Sequence, residues 1–225
     1  MSLLLYAIAP VFIIIIYIYF QDKYEKEPKR LLIASFFLGA ILSIIIVSVL
    51  YLFTGKLIPL TDEYSIWQQF IQAFFVVALA EEFSKYVIIK YFNQPRKAFN
   101  EPYDGIIYAV MVSMGFACTE NIMYVYQGGY ETAILRAFTA VPAHATFGIL
   151  MGYYMGKAKF AKNRFQLNMA GLLLAVLFHG AYDFFLFISF IPGIAFGAFM
   201  SLIVGIVLSQ KAIKKHQDNS NFKTF

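Results

Sequence analysis

Residues 31–53 read LLIASFFLGAILSIIIVSVLYLF, a run without a charged side chain. A helix that crosses a bilayer needs roughly 20 consecutive apolar residues, so this stretch is long enough to span one. Similar runs recur along the chain, in which 60% of the residues are hydrophobic and 14% are charged. An ordinary soluble domain is about 25% charged. The composition therefore excludes a soluble, disordered or fibrous protein and predicts a polytopic membrane protein.

Apolar runs separated by charged connections predict an all-α bundle of about seven transmembrane helices. Their expected bounds are about 3–20, 31–53, 66–92, 105–126, 132–156, 167–190 and 193–209. The connections alternate between rich and poor in Lys and Arg, and cytoplasmic connections carry the excess. We therefore expect the N-terminus outside and the C-terminus inside. One domain is expected over residues 1–209, followed by a basic, flexible cytoplasmic tail over 210–225 that includes His216.

Composition also limits the expected partners. The formal charge of +5 is divided among short basic clusters between apolar runs, so the lipid bilayer is an expected partner and nucleic acid is not. Cys118 is the single cysteine, which leaves no internal disulfide and no cysteine-rich metal cluster to expect.

Ionisable side chains at membrane depth cost several kcal/mol, which makes each one a candidate functional residue. Counted at roughly 1.5 Å per residue from the cytoplasmic end of each span, the polar side chains of four helices fall in one layer. This layer lies in the middle and outer half of the bilayer. Its members are Glu81, Glu82, Lys85, Glu120, Asn121, His144, His179 and Asp183.

Small residues at every fourth position accompany these polar side chains. Gly148, Gly152 and Gly156 follow His144, and Gly105, Ala109, Ser113 and Ala117 precede Asn121. Such stripes let membrane helices approach closely, so we expect the polar side chains to face the interior of the bundle.

The charges of this layer do not balance. Four acids against one lysine, Lys85, leave a formal charge of −3 with neutral imidazoles. Either some carboxyl groups are protonated or a cation is bound. A carboxyl group beside an imidazole suits general acid–base hydrolysis, and two histidines with carboxylates equally suit a zinc site with a glutamate as base. The candidate metal ligands are His144, His179, Asp183 and Glu120.

Several motifs occur together in a distinctive order. They are Tyr24-Glu25-Lys26-Glu27-Pro28, the E-E-x-x-K motif of residues 81–85, Gly115 to Asn121, Pro142-Ala143-His144 and the H-x-x-x-D motif of His179 and Asp183. In this order, over about residues 22–185, the chain resembles the PrsW family of intramembrane proteases. The resemblance implies a multi-pass protease of the bacterial plasma membrane. Such an enzyme makes the first, extracytoplasmic-side cut in a membrane-spanning anti-sigma factor, which leads to release of a sigma factor under envelope stress.

PrsW proteins are distantly similar to the CAAX prenyl endopeptidases, which are thought to activate water with Glu and His. Where those enzymes have F-x-x-x-H, this chain has Phe116 and Glu120. We therefore hypothesise that Glu81 or Glu82 deprotonates a water, with or without zinc, and that Lys85 orients the second glutamate. His179 with Asp183 stabilises the oxyanion or holds the metal. The cavity is completed by His144, Glu120 and Asn121.

Two alternatives come from other functional classes. A proton- or ion-coupled transporter would bury the same residue types but would be expected to contain internal repeats, and no convincing repeat relates the two halves of this chain. A non-catalytic membrane scaffold would not need the full set of acids and histidines. Outside the polar layer, Arg136 is expected to be an interfacial anchor, and Glu27-Pro28 is expected to form a turn before the second helix.

Overall fold

The computed structural model describes residues 3–220, 222 and 223. Over these residues the chain is helical, with short connections and no strand, which confirms the all-α prediction. The helices are α1 (Leu3–Gln21), α2 (Lys29–Leu57), α3 (residues 66–93), α4 (Pro102–Phe138), α5 (Ala140–Phe160), α6 (Arg164–Phe187) and α7 (Phe196–Asp218).

Five helical segments of the described residues are long and apolar enough to cross a bilayer. They are α1, α2, the pair α4–α5 over Pro102–Phe160, α6 and α7. Helix α3 is more polar, because glutamines occupy positions 68, 69 and 72 and two glutamates lie near its middle. A multi-pass membrane protein is therefore supported, whereas the count of seven spans and the orientation of the termini remain predictions.

Helix α4 lies at the centre of the bundle. It packs against α1, α2 and α5, while α5 also contacts α6 and α7, and α6 covers α3. The first half of α4 is buried without interruption from Tyr103 to Cys118. The outer helices instead expose large apolar side chains, including Ile13 and Phe20 on α1, as expected of surfaces that face lipid.

The close approach of α4 and α5 depends on the small-residue stripes. A Cβ atom added to Gly105 of α4 would lie 2.5 Å from the carbonyl oxygen of Gly152 and from the Cα of Gly156, both on α5. Real Cβ atoms do not approach backbone so closely, so only glycine allows this crossing. The prediction that these stripes pack helix against helix is confirmed, and His144 lies four residues before Gly148 on the same stripe.

Local distortions interrupt both α3 and α4. Helix α3 contains π-helical turns at Gln72–Ala78 and Ile89–Asn93, on either side of the segment that carries the two glutamates. Such turns occur often at functional sites. Helix α4 is kinked at Gly129, where φ is +71°, a conformation that glycine adopts without a steric penalty. The kink turns residues 130–138 back along the bundle, and the next helix begins at Ala140 rather than at the predicted residue 132.

The structure differs from the sequence prediction at the end of the chain. Residues 210–218 are not a flexible tail, because α7 continues as one helix through Asp218. His216 is buried: its Nε2 lies 2.9 Å from the carbonyl oxygen of Tyr153, and its ring stacks on that of Tyr153. This segment is an amphipathic helix despite its many basic residues, since Ala212, Ile213 and His216 are all buried.

Replacing Gly152 with alanine should destabilise the bundle, because the new methyl group would overlap the backbone of α4 at Gly105. Overpacking of this kind costs about 1–3 kcal/mol. The measurement is the midpoint of thermal unfolding of the purified protein in detergent. Gly55→Ala is the matched control, because a Cβ at Gly55 meets nothing within 4 Å. Equal midpoints for the two variants would contradict the packing argument.

The predicted orientation can be tested with fusions of a reporter enzyme that is active only outside the cytoplasm. We expect no activity from a fusion at the C-terminus, because the basic connections are predicted to be cytoplasmic. A fusion in the connection of residues 58–65 should be active. The reverse pattern would overturn the predicted topology.

Candidate active site

Helix α3 presents two glutamates and a lysine to the interior of the bundle. Glu81, Glu82 and Lys85 lie within one turn and are all buried, with Lys85 fully enclosed. The Nζ of Lys85 lies 2.6 Å from Oε1 of Glu82 and 3.9 Å from Oε2 of Glu81. It also lies 4.3 Å from the centre of the Phe116 ring. Lys85 therefore pairs mainly with Glu82 and leaves Glu81 less constrained.

His179 on α6 closes one side of this group. Its Nδ1 lies 2.8 Å from Oε1 of Glu82, and its Nε2 lies 3.2 Å from Oδ2 of Asp183 and 3.9 Å from Oε2 of Glu81. The ring stacks on Phe147 with the centroids 4.8 Å apart. Both ring nitrogens thus face carboxylate oxygens, so the imidazole carries two protons, one of these carboxyl groups is protonated, or a cation takes the place of a proton.

His144 on α5 closes the opposite side. Its Nε2 lies 2.8 Å from Oε2 of Glu120, and its Nδ1 lies 3.3 Å from Nζ of Lys85. Because an ammonium group can only donate, Nδ1 accepts from Lys85, and Nε2–H therefore donates to Glu120. The two imidazole rings are perpendicular, with their centroids 5.4 Å apart. Helices α3, α4, α5 and α6 therefore each contribute side chains to one connected group.

Arg136 joins this group, contrary to its expected place as an interfacial anchor. Its guanidinium donates to Oε2 of Glu120 over 2.7 Å and to Oδ1 of Asn121 over 2.8 Å. Asn121 in turn donates to the carbonyl oxygen of Ala7 on α1, 2.7 Å away. The kink at Gly129 folds the last part of α4 back, so Arg136 contacts Glu120 of the same helix. The sequence does not reveal this contact. Two bases now oppose the four acids of the layer.

Tyr51 is a second residue that the sequence analysis missed. Its hydroxyl donates to Oε1 of Glu81 over 3.0 Å, from the far end of α2. Nothing in its surroundings distinguishes this tyrosine, because it lies in the apolar run of residues 31–53. Its hydrogen bond fixes one oxygen of Glu81, while the other oxygen, Oε2, is buried without a hydrogen-bond partner among the described residues.

A cavity of about 540 Å³ opens beside this group. Its walls are largely apolar, and the polar residues that line it include Tyr51, Glu81, Glu120, Arg136, His144, His179 and Asp183. Glu82, Lys85 and Asn121 lie behind this wall. The two adjacent glutamates therefore differ in position: Glu81 reaches the cavity, whereas Glu82 is held between Lys85 and His179.

The residues at the cavity fit a metal ion. Glu81, His144 and His179 each offer a ligand atom within 4.8 Å of the others, and among the described residues no other group of three does so. Two histidines and a glutamate form one of the ligand sets of catalytic zinc sites. Glu120 bonds Nε2 of His144 and Glu82 bonds Nδ1 of His179, as carboxylates that orient metal-bound histidines do. Asp183, a ligand expected from the sequence, instead lies on Nε2 of His179, the nitrogen that faces Glu81. An ion on Nδ1 of His144 would replace the hydrogen bond from Lys85.

Comparisons with known proteins match this chain to one family. The sequence profile described as PrsW family intramembrane metalloprotease matches residues 27–210. The chain is 39% identical to Protease PrsW of Geobacillus kaustophilus over 88% of this chain and 86% of the relative. It is 42% identical to that of Oceanobacillus iheyensis over 83% of each chain, and 38% identical to that of Bacillus subtilis over 80% of each. No solved structure matches.

These matches extend over most of the chain, and the profile match over residues 27–210 includes every side chain of the cavity group. They favour the hydrolytic interpretation of the buried acids and histidines over the transporter and the scaffold. The chain belongs to the PrsW family of intramembrane metalloproteases.

Proposed function

We propose that this protease cuts a membrane-spanning substrate with a water activated by Glu81, inside the cavity between α3, α4, α5 and α6. The observation that carries the proposal is the position of Glu81, which lines the cavity with two imidazoles close by. Its Oε2 is buried and has no hydrogen-bond partner among the described residues. That oxygen is free to accept a proton from water.

Glu81 transfers a proton twice during hydrolysis of the peptide bond. Oε2 of Glu81 takes a proton from the water, whose oxygen bonds to the scissile carbonyl carbon. The carbon–nitrogen bond then breaks, and the proton passes from Glu81 to the leaving nitrogen. Tyr51 holds the other oxygen of Glu81 at 3.0 Å during these steps. The glutamate therefore acts first as a base and then as an acid, without a covalent intermediate.

The remaining residues position these groups. Lys85 pairs with Glu82, and Glu82 holds Nδ1 of His179, so the lysine and the second glutamate together fix one imidazole. Glu120, itself held by Arg136, fixes His144. His144 and His179 would hold a zinc ion, with the Glu81 carboxylate beside it as the base. A bound zinc would supply Lewis acidity and favour ionisation of water near neutral pH.

We propose the substrate from the family resemblance and from the bacterial source of the relatives. It is a membrane-spanning anti-sigma factor of the bacterial plasma membrane, and this enzyme makes the first cut, near the extracytoplasmic side. That cut leads to release of the sigma factor under envelope stress. The depth of the polar layer, in the middle and outer half of the bilayer, supports a cut on that side.

Replacing Glu81 with glutamine should reduce cleavage by about 10²- to 10⁴-fold, because the amide cannot accept the proton from water. The assay follows a tagged anti-sigma factor that is co-expressed with the protease in bacterial membranes. Glu63→Gln is the control, since Glu63 is an exposed glutamate in the connection between α2 and α3. Cleavage by the Glu81→Gln variant at the rate of the control would refute the role of Glu81.

Elemental analysis of the purified protein tests the metal. We expect one equivalent of zinc in the wild-type chain and a large loss in His144→Ala and in His179→Ala, because each variant removes a ligand atom. His216→Ala is the matched control. It removes the third histidine of the chain, which bonds the carbonyl oxygen of Tyr153 away from the cavity.

An equal metal content in all three histidine variants would show that the cavity residues do not hold the ion. A wild-type protein that cleaves its substrate without metal and in the presence of chelator would instead support the metal-free form of the mechanism.

A further inference from the structure

A second group of buried acids lies far from the cavity, where the connection before α2 meets the start of α4. We call it the connector acid cluster: Asp22, Glu25, Glu27, Glu101 and Asp104. Glu120 lies sixteen residues along α4 from Asp104, which is roughly 24 Å at 1.5 Å per residue. The cluster includes the acids of the Tyr24-Glu25-Lys26-Glu27-Pro28 motif, to which the proposed function assigns no part.

The cluster is buried to an unusual degree for carboxylates outside an apolar span. Asp22 is 1% exposed, Glu27 is 3% exposed, and Asp104 is fully buried. Acids are almost never fully buried unless they are paired. Turn formation alone, which the sequence predicts for Glu27-Pro28, does not require this burial.

Hydrogen bonds within the protein account for only part of these side chains. Oδ2 of Asp104 accepts from the backbone N–H groups of Asn100 and Glu101, at 2.6 and 2.8 Å, and so caps α4. Oε2 of Glu27 accepts from the hydroxyl of Tyr108, and Oε1 of Glu25 accepts from the Asn100 amide. The other oxygens of these three carboxylates have no partner among the described residues.

Six buried oxygens without a partner therefore gather at this one place, more than half of the eleven such atoms among the described residues. They are Oδ1 and Oδ2 of Asp22, Oε2 of Glu25, Oε1 of Glu27, Oδ1 of Asn100 and Oδ1 of Asp104. All six are acceptors, and leaving a buried acceptor unsatisfied destabilises the folded state.

Two lysines lie near the cluster but form no ion pair with it among the described residues. Lys26 is exposed and directs its Nζ at the carbonyl oxygens of Tyr19 and Asp22. Lys159 directs its Nζ at the carbonyl oxygens of Gln94 and Arg96, at 2.5 and 2.7 Å. Within the described part of the chain, neither lysine forms an ion pair with these acids.

Protons could relieve part of this charge. Burial raises the pKa of Asp22 to about 6, and burial together with the facing Asp104 carboxylate raises the pKa of Glu27 to about 10. One proton shared between Glu27 and Asp104 would satisfy their facing oxygens. It would leave Oε2 of Glu25 and Oδ1 of Asn100 without a donor among the described residues, while the backbone N–H of Glu27 approaches the Asp22 carboxylate.

We propose that the connector acid cluster binds a hydrated divalent cation, Mg²⁺ in preference to a transition metal. An all-oxygen set of carboxylates and an amide is the ligand type of hard cations. The cluster does not bring three carboxylate oxygens within 4.8 Å of one another, as a fully dehydrated ion would require. Mg²⁺ keeps several waters and binds through one or two carboxylates, and its waters donate hydrogen bonds to acceptors that the ion does not reach.

The site is independent of the proposed proteolytic function. It would join the connection of residues 22–28 to the first turn of α4, which lies against α5 through Gly105. The cation would thus stabilise the bundle at the end of α4 opposite to Glu120. Its loss should lower stability and leave the cavity group in place.

The test measures the thermal unfolding midpoint of the full chain in detergent, at pH 8 after treatment with EDTA. Millimolar MgCl₂ is compared with NaCl of equal ionic strength. We expect Mg²⁺ to raise the midpoint of the wild-type protein by several degrees, because it binds the folded state alone. Asp22→Asn and Glu27→Gln should each lose this response. Asp22→Asn removes a buried charge, and Glu27→Gln keeps the size of a side chain whose pKa is raised to about 10, so both should fold, and either one is sufficient for the comparison.

Two control variants locate the response. Glu63→Gln, an exposed acid, should keep the full Mg²⁺ shift. Glu81→Gln should also keep it, because that variant changes the cavity group and not the connector acid cluster. A wild-type midpoint that Mg²⁺ raises no more than NaCl does would overturn the proposal. The proposal would also be overturned if Asp22→Asn and Glu27→Gln kept the Mg²⁺ shift of the wild type. It would equally be overturned if lowering the pH raised the wild-type midpoint and Mg²⁺ did not.

Discussion

Charge burial inside an apolar bundle is the constraint on which the rest of this structure depends. Two glutamates, a lysine and two histidines can lie at membrane depth only if each finds a partner, because an isolated charge there costs several kcal/mol. Lys85 is the central partner in this group, since its ammonium lies 2.6 Å from Glu82 and 3.3 Å from His144. Partners from α4, α5 and α6 then complete the group, so the site and the helix packing require one another.

Helix packing sets the position of each partner. Glycines at the crossing of α4 and α5 bring the two backbones into contact, and this close approach places His144 within 2.8 Å of Glu120. Larger residues at Gly105 or Gly152 would separate the helices and lengthen that hydrogen bond. The kink at Gly129 has a similar effect on a longer scale, because it returns Arg136 to Glu120. Backbone geometry at three glycines therefore controls much of the electrostatics of the cavity.

Glu120 shows how a carboxylate on α4 serves the site by holding an imidazole. Phe116 lies beneath Lys85 and beside the ring of His144, and the Glu120 carboxylate accepts from Nε2 of His144. The carboxylate at position 120 thus orients an imidazole. The two imidazoles and Glu81 form a His₂Glu set around one point.

The sequence by itself determined that the chain is a helical membrane protein, which polar residues interrupt its apolar runs, and that small-residue stripes pack α4 against α5. Those conclusions rest on local properties, namely hydropathy, helical periodicity and residue size. Only the tertiary structure decided that Glu81 rather than Glu82 reaches the cavity, that Arg136 and Tyr51 join the group, and that the last basic segment is a packed helix. Each of these depends on contacts between residues far apart in the chain. A hydrogen bond such as that of Tyr51 to Glu81 leaves no periodic signal in either segment, so no local pattern could predict it.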